Sequence, residues 1–350
     1  MREDVLGYSR STSTDQPEWL TDRLRWFTEL KFGIILHWGI YAFWDCCESW
    51  PLVPEDDWSR REGMKCWDER DHDIDRFQRD YWALNRQFNP TSFDPDAWVK
   101  TFVDAGAKYV CFTTKHHDGF CMWDTATTDY KITGPDCPFH DHPKADVTKH
   151  LFDACRRAGL AIAVYYSKAD WHCPSYWAPD PRPTSRRANT VHDPVVWEQF
   201  VQFTHAQIRE LLTNYGPADV LWLDAGWVKG EEDIRMAEIV EFGRQLQPGL
   251  LVANRTVGEF EDFVTPEREI PEEGLGVPWE ACLPVCPDWK YTEGQTPKSA
   301  EEVIAELRTT NTRGGNFLLG IGPKPDGTLP EDSVAVLGQV GQMLRDSGGL

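Results

Sequence analysis

The feature that most restricts the fold is a repeated alternation between short apolar runs and helical segments. Each apolar run has the pattern of a buried strand, and Asp94-Pro95 and Asp193-Pro194 mark capped starts of two intervening helices. Continuous apolar strands joined by helical crossovers predict a parallel sheet that is covered by helices. The predicted strands are residues 34–36, 109–113, 161–166, 220–223 and 250–253, with a late strand at 317–319.

We therefore predict an α/β fold, a (β/α)8-type (TIM-like) barrel that forms a single domain over residues 1–350. Such a barrel typically needs about 250 residues, and a chain of 350 residues leaves room for long loops and a loose lead-in at 1–20. A doubly wound sheet is the alternative, but no Gly-x-Gly-x-x-Gly follows the first strand. The pattern loosens after residue 255, where we expect a loop at 256–276 and a short strand at 277–279. The barrel is thus predicted to be irregular in its second half.

Composition and charge argue against several kinds of partner. Hydrophobic residues make up 41% of the chain and charged residues 27%, which is typical of a globular protein. The net charge of −21 is spread along the sequence and disfavours nucleic acids and anionic membranes, because both need a basic surface. The polar start lacks the apolar segment of a signal peptide, and the ten cysteines show no disulfide framework. We therefore expect a cytoplasmic protein with reduced thiols.

Polar side chains follow most of the predicted strands, and the C-terminal ends of barrel strands meet at one mouth. Paired carboxylates with aromatic walls are what glycoside hydrolysis requires. One ionised carboxylate attacks the anomeric carbon, and a second, protonated one donates to the leaving oxygen. The 17 tryptophans have two expected uses, flat faces that stack on sugar rings and the filling of a large barrel core, which accounts for more than half of them. The candidates at strand ends and in nearby loops are His37, Glu48, Trp50, Lys115, His116, His117, Asp118, Tyr166, Asp170, Asp224, Asn254, Arg255, Glu267, Glu280 and Trp289.

A metal site is the rival chemistry, and structural roles are the plainer alternative. Zinc could bind His116 and His117 together with Asp118, His140 and His142. However, adjacent histidines on an extended strand point to opposite sides, and the chain has no His-Glu-x-x-His or Cys-x-x-Cys motif. We therefore predict no metal or other cofactor. The structural alternatives are a hydrogen-bonded histidine pair in the core and a helix N-cap at Asp224.

The motifs, taken together and in order, resemble those of the α-L-fucosidases of glycoside hydrolase family 29. The resemblance extends over residues 25 to 345 and implies a retaining mechanism through a glycosyl-enzyme intermediate, without a metal. Members often carry a β-sandwich after the barrel, and we expect none in this chain. The motifs are KFGIILHWG at 31–39, AGAKY at 105–109, KHHDGF at 115–120, YYS at 165–167, WLD at 222–224 and GGNFLL at 314–319.

The resemblance also implies roles for individual residues. Asp224 matches the nucleophile, and Glu48 and Trp50 fall where the loop after the first strand contacts the sugar. Glu267 is the preferred acid/base, with Glu280 as the alternative, and retention requires the two carboxyl groups to lie about 5–5.5 Å apart. The residues that match the binding site for the sugar ring are His37, His116, His117, Tyr166 and Arg255.

The implied substrate is a terminal α-L-fucose on an oligosaccharide or a small glycoside. Two alternatives remain open at this point. One is a related α-L-glycosidase, for example an α-L-galactosidase, because L-galactose differs from L-fucose only by a hydroxyl at C6. The other is a sugar-binding barrel that has lost its catalytic activity.

Overall fold

The computed structural model describes residues 17–178, 182–255 and 260–350, and in these residues one parallel sheet curls into a barrel. The predicted (β/α)8-type fold is confirmed, and each strand predicted up to residue 253 is present to within a few residues at its ends. The strands are β1 (Phe32–Leu36), β2 (Tyr109–Lys115), β3 (Ala161–Ser167), β4 (Val220–Asp224), β5 (Leu251–Asn254), β6 (Glu280–Pro284) and β7 (Asn316–Ile321). Their order in the sheet is β5-β4-β3-β2-β1-β7-β6.

Helices connect the strands and cover the outside of the sheet. The two predicted Asp-Pro starts are confirmed, because each aspartate side chain accepts hydrogen bonds from backbone N–H groups of the first turn. The predicted capping box of Ser299 and Glu302 is also present. The helices are α1 (Glu18–Leu30), α2 (Lys65–Asp68), α3 (Ile74–Trp82), α4 (Pro95–Asp104), α5 (Val147–Arg157), α6 (Pro174–Trp177), α7 (Pro194–Asn214), α8 (Met236–Leu246), α9 (Ala300–Thr312) and α10 (Glu331–Asp346).

Alternate residues of each strand face opposite sides of the sheet, and this periodicity decides which side chains reach the interior of the barrel. On β3, Ala163 and Tyr165 belong to the inner cluster, whereas Ile162, Val164 and Tyr166 belong to the outer cluster that packs against helices. The inner cluster also includes Ile35, Tyr109, Cys111, Trp222, Ala253, Cys282 and Leu318.

The lead-in predicted for 1–20 lies largely outside the described residues, and its end is part of helix α1. Leu20, Leu24 and Phe27 on one face of α1 join the inner cluster. The Phe27 ring lies 5.8 Å from Tyr109 and 4.3 Å from Phe263 between ring centroids. Helix α1 therefore packs against the interior of the barrel, on the side of Tyr109 at the start of β2.

The gap between β5 and β6 is closed by an irregular segment, residues 262–268. Its start pairs with β5, because Asp262 N–H donates to the Val252 carbonyl at 2.8 Å. Its middle pairs with β6, because Glu280 N–H donates to the Val264 carbonyl at 2.8 Å. The described part of the loop predicted over 256–276 is irregular as expected and pairs with its neighbours only through isolated hydrogen bonds, whereas β6 begins at Glu280 rather than at 277–279. Residues 256–259 lie outside the described part.

In the described residues, no helix combines the length and the apolar character needed to span a bilayer.

Candidate active site

A cavity of about 530 Å³ opens where the C-terminal ends of the strands converge. Catalytic groups of barrel enzymes lie at this end, because the loops after all strands meet there. The structure brings most of the predicted residues to the wall of this cavity. Its lining includes His37, Glu48, Trp50, Trp58, Arg61, His116, Tyr165, Arg186, Trp222, Asp224, Trp227, Arg255, Glu267, Arg268 and Trp289.

Asp224 is the last residue of β4, and its carboxylate is held from two sides. Tyr165 Oη donates to Oδ2 at 2.7 Å, and Arg255 Nη1 lies 3.4 Å from Oδ1. Burial by itself would raise the pKa of Asp224, but the Arg255 charge and the hydrogen bonds outweigh it and hold the pKa well below its ordinary value. Asp224 is therefore ionised and rigidly placed, as a nucleophile must be. The helix N-cap alternative does not apply, because the described helix that follows begins at Met236.

Glu267 lies across Arg255 from Asp224, on the irregular segment 262–268. Arg255 Nη2 pairs with Glu267 Oε2, and Trp289 Nε1 donates to Oε1 at 3.0 Å. Burial acts to raise the pKa of Glu267, but Arg255 more than offsets it and the pKa is lowered. The Asp224 carboxylate acts in the opposite direction, to raise the pKa of Glu267. One guanidinium therefore spans the two groups.

Glu280, the alternative acid/base, lies outside the cavity lining. Its two carboxylate oxygens accept hydrogen bonds from Tyr109 Oη at 2.6 Å and from Trp222 Nε1 at 3.0 Å. The group is 1% exposed, and burial raises its pKa to about 7. Because it is the first residue of β6 and points into the barrel, it supports Trp222 from below. A substrate in the cavity does not reach it, so its predicted catalytic role is wrong.

Tyr166 is another predicted residue that the structure does not bring to the cavity. Its hydroxyl donates to Gln207 Oε1 at 2.8 Å and accepts a hydrogen bond from Lys115 Nζ at 2.9 Å, on the outer side of the sheet. The preceding residue, Tyr165, faces inward and contacts Asp224. The tyrosine that faces the cavity is therefore one residue earlier than predicted, because adjacent side chains on a strand point to opposite faces.

His116 and His117 both face the site, contrary to the expectation for adjacent residues on a strand. They follow the end of β2 in a turn, and their ring centroids lie 4.8 Å apart. His116 Nδ1 lies 2.6 Å from Ser49 Oγ, and burial lowers the pKa of His116 well below its ordinary value. His117 Nδ1 donates to the Ala169 carbonyl at 3.1 Å, which leaves Nε2 directed at Asp224, 3.6 Å from Oδ2.

His37, Glu48 and Trp50 complete the predicted wall. Burial lowers the pKa of His37 to about 4, so its ring is neutral, and its buried Nδ1 has no hydrogen-bond partner among the described residues. Glu48 has a left-handed backbone (φ 40°), and its Oε1 accepts a hydrogen bond from the Lys290 N–H at 3.1 Å. The Trp50 ring lies 5.8 Å from Trp227. These groups offer polar contacts for hydroxyls and a flat apolar face for a sugar ring.

The residues weighed above as a rival zinc site do not form one cluster. In the described residues, the ligand atoms of His116, His117 and Asp224 lie within 4.8 Å of one another. Arg255 already places a positive charge on Asp224, and this opposes a cation at the same carboxylate. Asp118 instead accepts from Tyr81 Oη at 2.8 Å. His140 pairs with the neighbouring Asp141, and His142 accepts from the Lys144 N–H at 3.1 Å, so neither joins the three.

Sequence reasoning missed several residues of the wall. Tyr165 and Trp222 were within quoted motifs, and the two-residue period from Asp224 through Trp222 identifies the inward face of β4. Trp58 and Arg268 lie on segments without a clear period, where no sequence signal marks the side that faces the cavity.

A barrel with two carboxylates and indole walls at its C-terminal mouth has the features of a glycoside hydrolase. A sequence model of the α-L-fucosidase family matches residues 8–349. Because this match extends over nearly the whole chain, the chain belongs to the α-L-fucosidases of glycoside hydrolase family 29, as the motifs indicated.

Individual relatives agree with this assignment. An α-L-fucosidase of Dictyostelium discoideum is 25% identical over 346 residues, which cover 91% of this chain and 69% of that protein. The structure of α-L-fucosidase isoenzyme 1 from Paenibacillus thiaminolyticus matches with a TM-score of 0.75 and 33% identity, covering 94% of this chain and 77% of that one. An α-L-fucosidase of Lactobacillus casei, solved with its α-L-fucose product, matches with a TM-score of 0.74 and 25% identity, covering 93% and 99%.

Proposed function

We propose that this enzyme releases terminal α-L-fucose from oligosaccharides or glycosides with retention of configuration. The observation that carries the proposal is the position of Arg255, which contacts Asp224 through Nη1 and Glu267 through Nη2. One guanidinium thus keeps a buried nucleophile ionised and places a second, more exposed carboxyl group within the same cavity. Two such carboxyl groups with different environments are the requirement for double displacement.

In the first step, Asp224 Oδ attacks the anomeric carbon and the bond to the leaving oxygen breaks. Glu267 in its protonated form transfers its proton to that oxygen, so that the leaving group departs as an alcohol. The Asp224 carboxylate acts to raise the pKa of Glu267, but Arg255 lowers it by more, so the protonated form that this step needs is the minor form of Glu267 in the free enzyme. Tyr165 and Arg255 hold Asp224 in position, which removes the need to order the nucleophile during the reaction.

In the second step, water replaces the leaving group and Glu267 acts as the base. Once Asp224 is esterified, its negative charge is gone and no longer raises the pKa of Glu267. Arg255 then holds Glu267 ionised, so that it takes a proton from the water as the oxygen adds to the anomeric carbon. Asp224 leaves as a carboxylate, and the free sugar has the same configuration as the substrate.

The test compares Asp224→Ala with the matched control Asp153→Ala, which removes a half-buried carboxylate that pairs with Lys149 and Arg156 on α5. We expect Asp224→Ala to lower kcat on an aryl α-L-fucoside by about 10³-fold or more, while the control retains wild-type turnover and both variants keep the wild-type circular dichroism. Near-normal turnover by Asp224→Ala would reject the mechanism. Proton NMR of the first product should show the α-anomer, and a β-anomer would reject retention.

Substrate identity is tested with a panel of aryl glycosides. The wild-type enzyme should hydrolyse the α-L-fucoside faster than the α-L-galactoside, which carries an additional hydroxyl at C6. A higher rate on the galactoside would replace the proposed substrate. Binding of fucose without turnover of any glycoside would instead identify a sugar-binding barrel that has lost its catalytic activity.

We further propose that the protein resides in a reducing compartment such as the cytoplasm, a proposal supported by the ten unpaired cysteines of the described residues.

A further inference from the structure

Four arginines line the cavity of a chain whose net charge is −21. The arginines that line it are Arg61, Arg186, Arg255 and Arg268. Three of these four have carboxylate partners: Arg255 pairs with Asp224 and Glu267, Arg61 with Asp288, and Arg186 with Glu55 and Asp56. Among the described residues, Arg268 forms no ion pair with any carboxylate.

Arg268 is held in place without being neutralised. Its Nη1 donates to the Pro287 carbonyl at 2.9 Å, and its guanidinium carbon lies 5.2 Å from the centroid of the Trp289 ring. Its backbone is left-handed, with φ of 55°, a conformation that is uncommon for a residue with a side chain and often occurs at functional sites. One hydrogen bond uses only one of five N–H donors of a guanidinium.

The position of Arg268 relative to Glu267 indicates which part of a substrate it would meet. Arg268 is the next residue in the chain, and the indole under its guanidinium is the one that donates to Glu267 Oε1. Glu267 protonates the leaving oxygen in the proposed mechanism. The guanidinium therefore lies next to the leaving group rather than next to the sugar that is attacked.

Arg61 strengthens the charge at the same place. Its Nη2 lies 2.9 Å from Asp288 Oδ1, and Asp288 follows Pro287, the residue that anchors Arg268. Two guanidinium groups thus contact the consecutive residues Pro287 and Asp288, and of these two only Arg61 pairs with the Asp288 carboxylate. The Arg61 side chain is 53% exposed at the cavity mouth. A planar guanidinium with free donors matches the geometry of a carboxylate or sulfate.

We infer that the leaving group of the preferred substrate carries a carboxylate or a sulfate that Arg268 binds, with Arg61 in support. The inference deepens the proposed function and rests on it. It makes Arg268 a specificity-determining residue. A guanidinium that only adjusted Glu267 would change turnover of charged and neutral substrates alike.

The test measures a ratio, kcat/KM for an anionic substrate divided by that for a neutral one. The substrates are phenyl α-L-fucoside and its 3-carboxyphenyl and 3-sulfooxyphenyl counterparts, so that the two charged forms identify the anion preferred. We expect Arg268→Gln to lower the ratio roughly fivefold at low salt, as for the loss of an exposed ion pair. Arg268→Lys should retain most of it. The matched control Arg25→Gln, an exposed arginine on α1, should leave the ratio unchanged.

Because each variant is compared with wild type on the same substrate, differences in leaving-group reactivity between the substrates cancel. The wild-type ratio should fall as sodium chloride is raised from 20 to about 500 mM, because salt screens an exposed interaction. A ratio that Arg268→Gln leaves unchanged, or equal losses on both kinds of substrate, would overturn the inference while leaving the proposed function intact. Failure of the wild-type enzyme on all three fucosides would instead contradict the proposed function itself.

Discussion

At the residue scale, the site depends on how a few buried charges influence one another. Arg255 contacts both carboxyl groups, so a change in charge on Asp224 is felt by Glu267. Glu280 has no such cationic partner within ion-pairing distance among the described residues, and its pKa rises to about 7 through burial. The pKa of Glu267, in the cavity, is thus governed by a neighbouring cation. The pKa of Glu280, beneath the cavity floor, is governed by desolvation. A raised pKa alone would have favoured Glu280 as the acid, and its position excludes that role.

The two glutamates should respond differently to the leaving group. We expect Glu267→Gln to lower kcat/KM by about 10²–10⁴-fold for alkyl fucosides, whose leaving oxygen needs a proton, and much less for nitrophenyl fucosides. Glu280→Gln should show no such dependence, because Glu280 binds Tyr109 and Trp222 rather than substrate. Initial rates on a series of fucosides of decreasing leaving-group pKa provide the measurement. A leaving-group dependence in Glu280→Gln, and none in Glu267→Gln, would reverse the assignment.

Glu280 should also make folding stability depend on pH. Its pKa in the fold, about 7, lies above the ordinary 4.5, so the protonated form is favoured by folding. This contribution is fully present below about pH 4.5 and is lost as pH rises through 7. At 1.36 kcal/mol per unit, the total change is about 3 kcal/mol. Urea unfolding at pH 5 and pH 8 should therefore show wild type losing stability relative to Glu280→Gln. A difference that does not vary with pH would contradict the assigned pKa.

At the scale of elements, the strands position the site through close contacts across the barrel interior. Gly33 on β1 pairs with Tyr109 on β2, and the Tyr109 ring occupies the space above the glycine. A methyl group at residue 33 would lie 2.4 Å from Tyr109 Cζ, far inside contact distance. The glycine therefore allows the ring to extend inward, where its hydroxyl reaches Glu280.

Gly33→Ala should destabilise the fold by about 1–3 kcal/mol, because it overpacks a rigid interior. The matched control is Gly338→Ala on α10, where an added Cβ meets no heavy atom within 4 Å. The control should be stabilising by up to about 1 kcal/mol, since alanine favours a helix over glycine. Chemical denaturation of both variants measures the difference. Equal stability of the two would show that the Tyr109 ring has room to move.

The elements themselves were largely predictable from sequence, because apolar periodicity and caps are local signals. Asp94, Asp193 and Ser299 begin helices as predicted, and β1 to β5 are present within a few residues of the predicted bounds. Helix α1 was missed, since the notable side chains of this segment, such as Phe27, contact residues distant in the chain. The pairing of segment 262–268 with β5 and β6 was not predicted, because it uses isolated backbone hydrogen bonds rather than an apolar repeat.

The site was predictable where a motif and a strand end coincide, as at Asp224, His37 and Arg255. The site was not predictable where a shift of one residue decides whether a side chain faces the cavity or the outer helices, as with Tyr165 and Tyr166. The depth of a side chain below the cavity was not predictable either. Glu280 follows a predicted strand, as other candidates do, but it lies beneath the cavity floor. These distinctions depend on the register of distant strands, which a single sequence does not contain.

At the scale of the whole molecule, barrel closure and catalysis share one segment. Residues 262–268 join β5 to β6, and Glu267 lies near the end of this segment. The start of the segment is fixed by Asp262, whose carboxylate accepts hydrogen bonds from Arg244 Nη2 at 2.8 and 2.9 Å and from the Val252 N–H at 2.7 Å. The stability of the closed barrel should therefore control how well Glu267 is positioned.

Asp262→Ala should weaken the attachment of segment 262–268 to β5, which closes the barrel. The variant leaves Arg244 without the carboxylate that Asp262 supplies and the Val252 N–H without its acceptor, and we expect a loss of about 3 kcal/mol in the free energy of unfolding. Hydrogen exchange should accelerate at Val264 and Arg268, whose N–H groups pair with residues at or next to β6, and kcat should fall with it. The control Asp153→Ala on α5 should change neither these exchange rates nor kcat. Unchanged exchange at Val264 in Asp262→Ala would show that the barrel stays closed without this anchor, so that Glu267 owes its position to Arg255 and Trp289 alone.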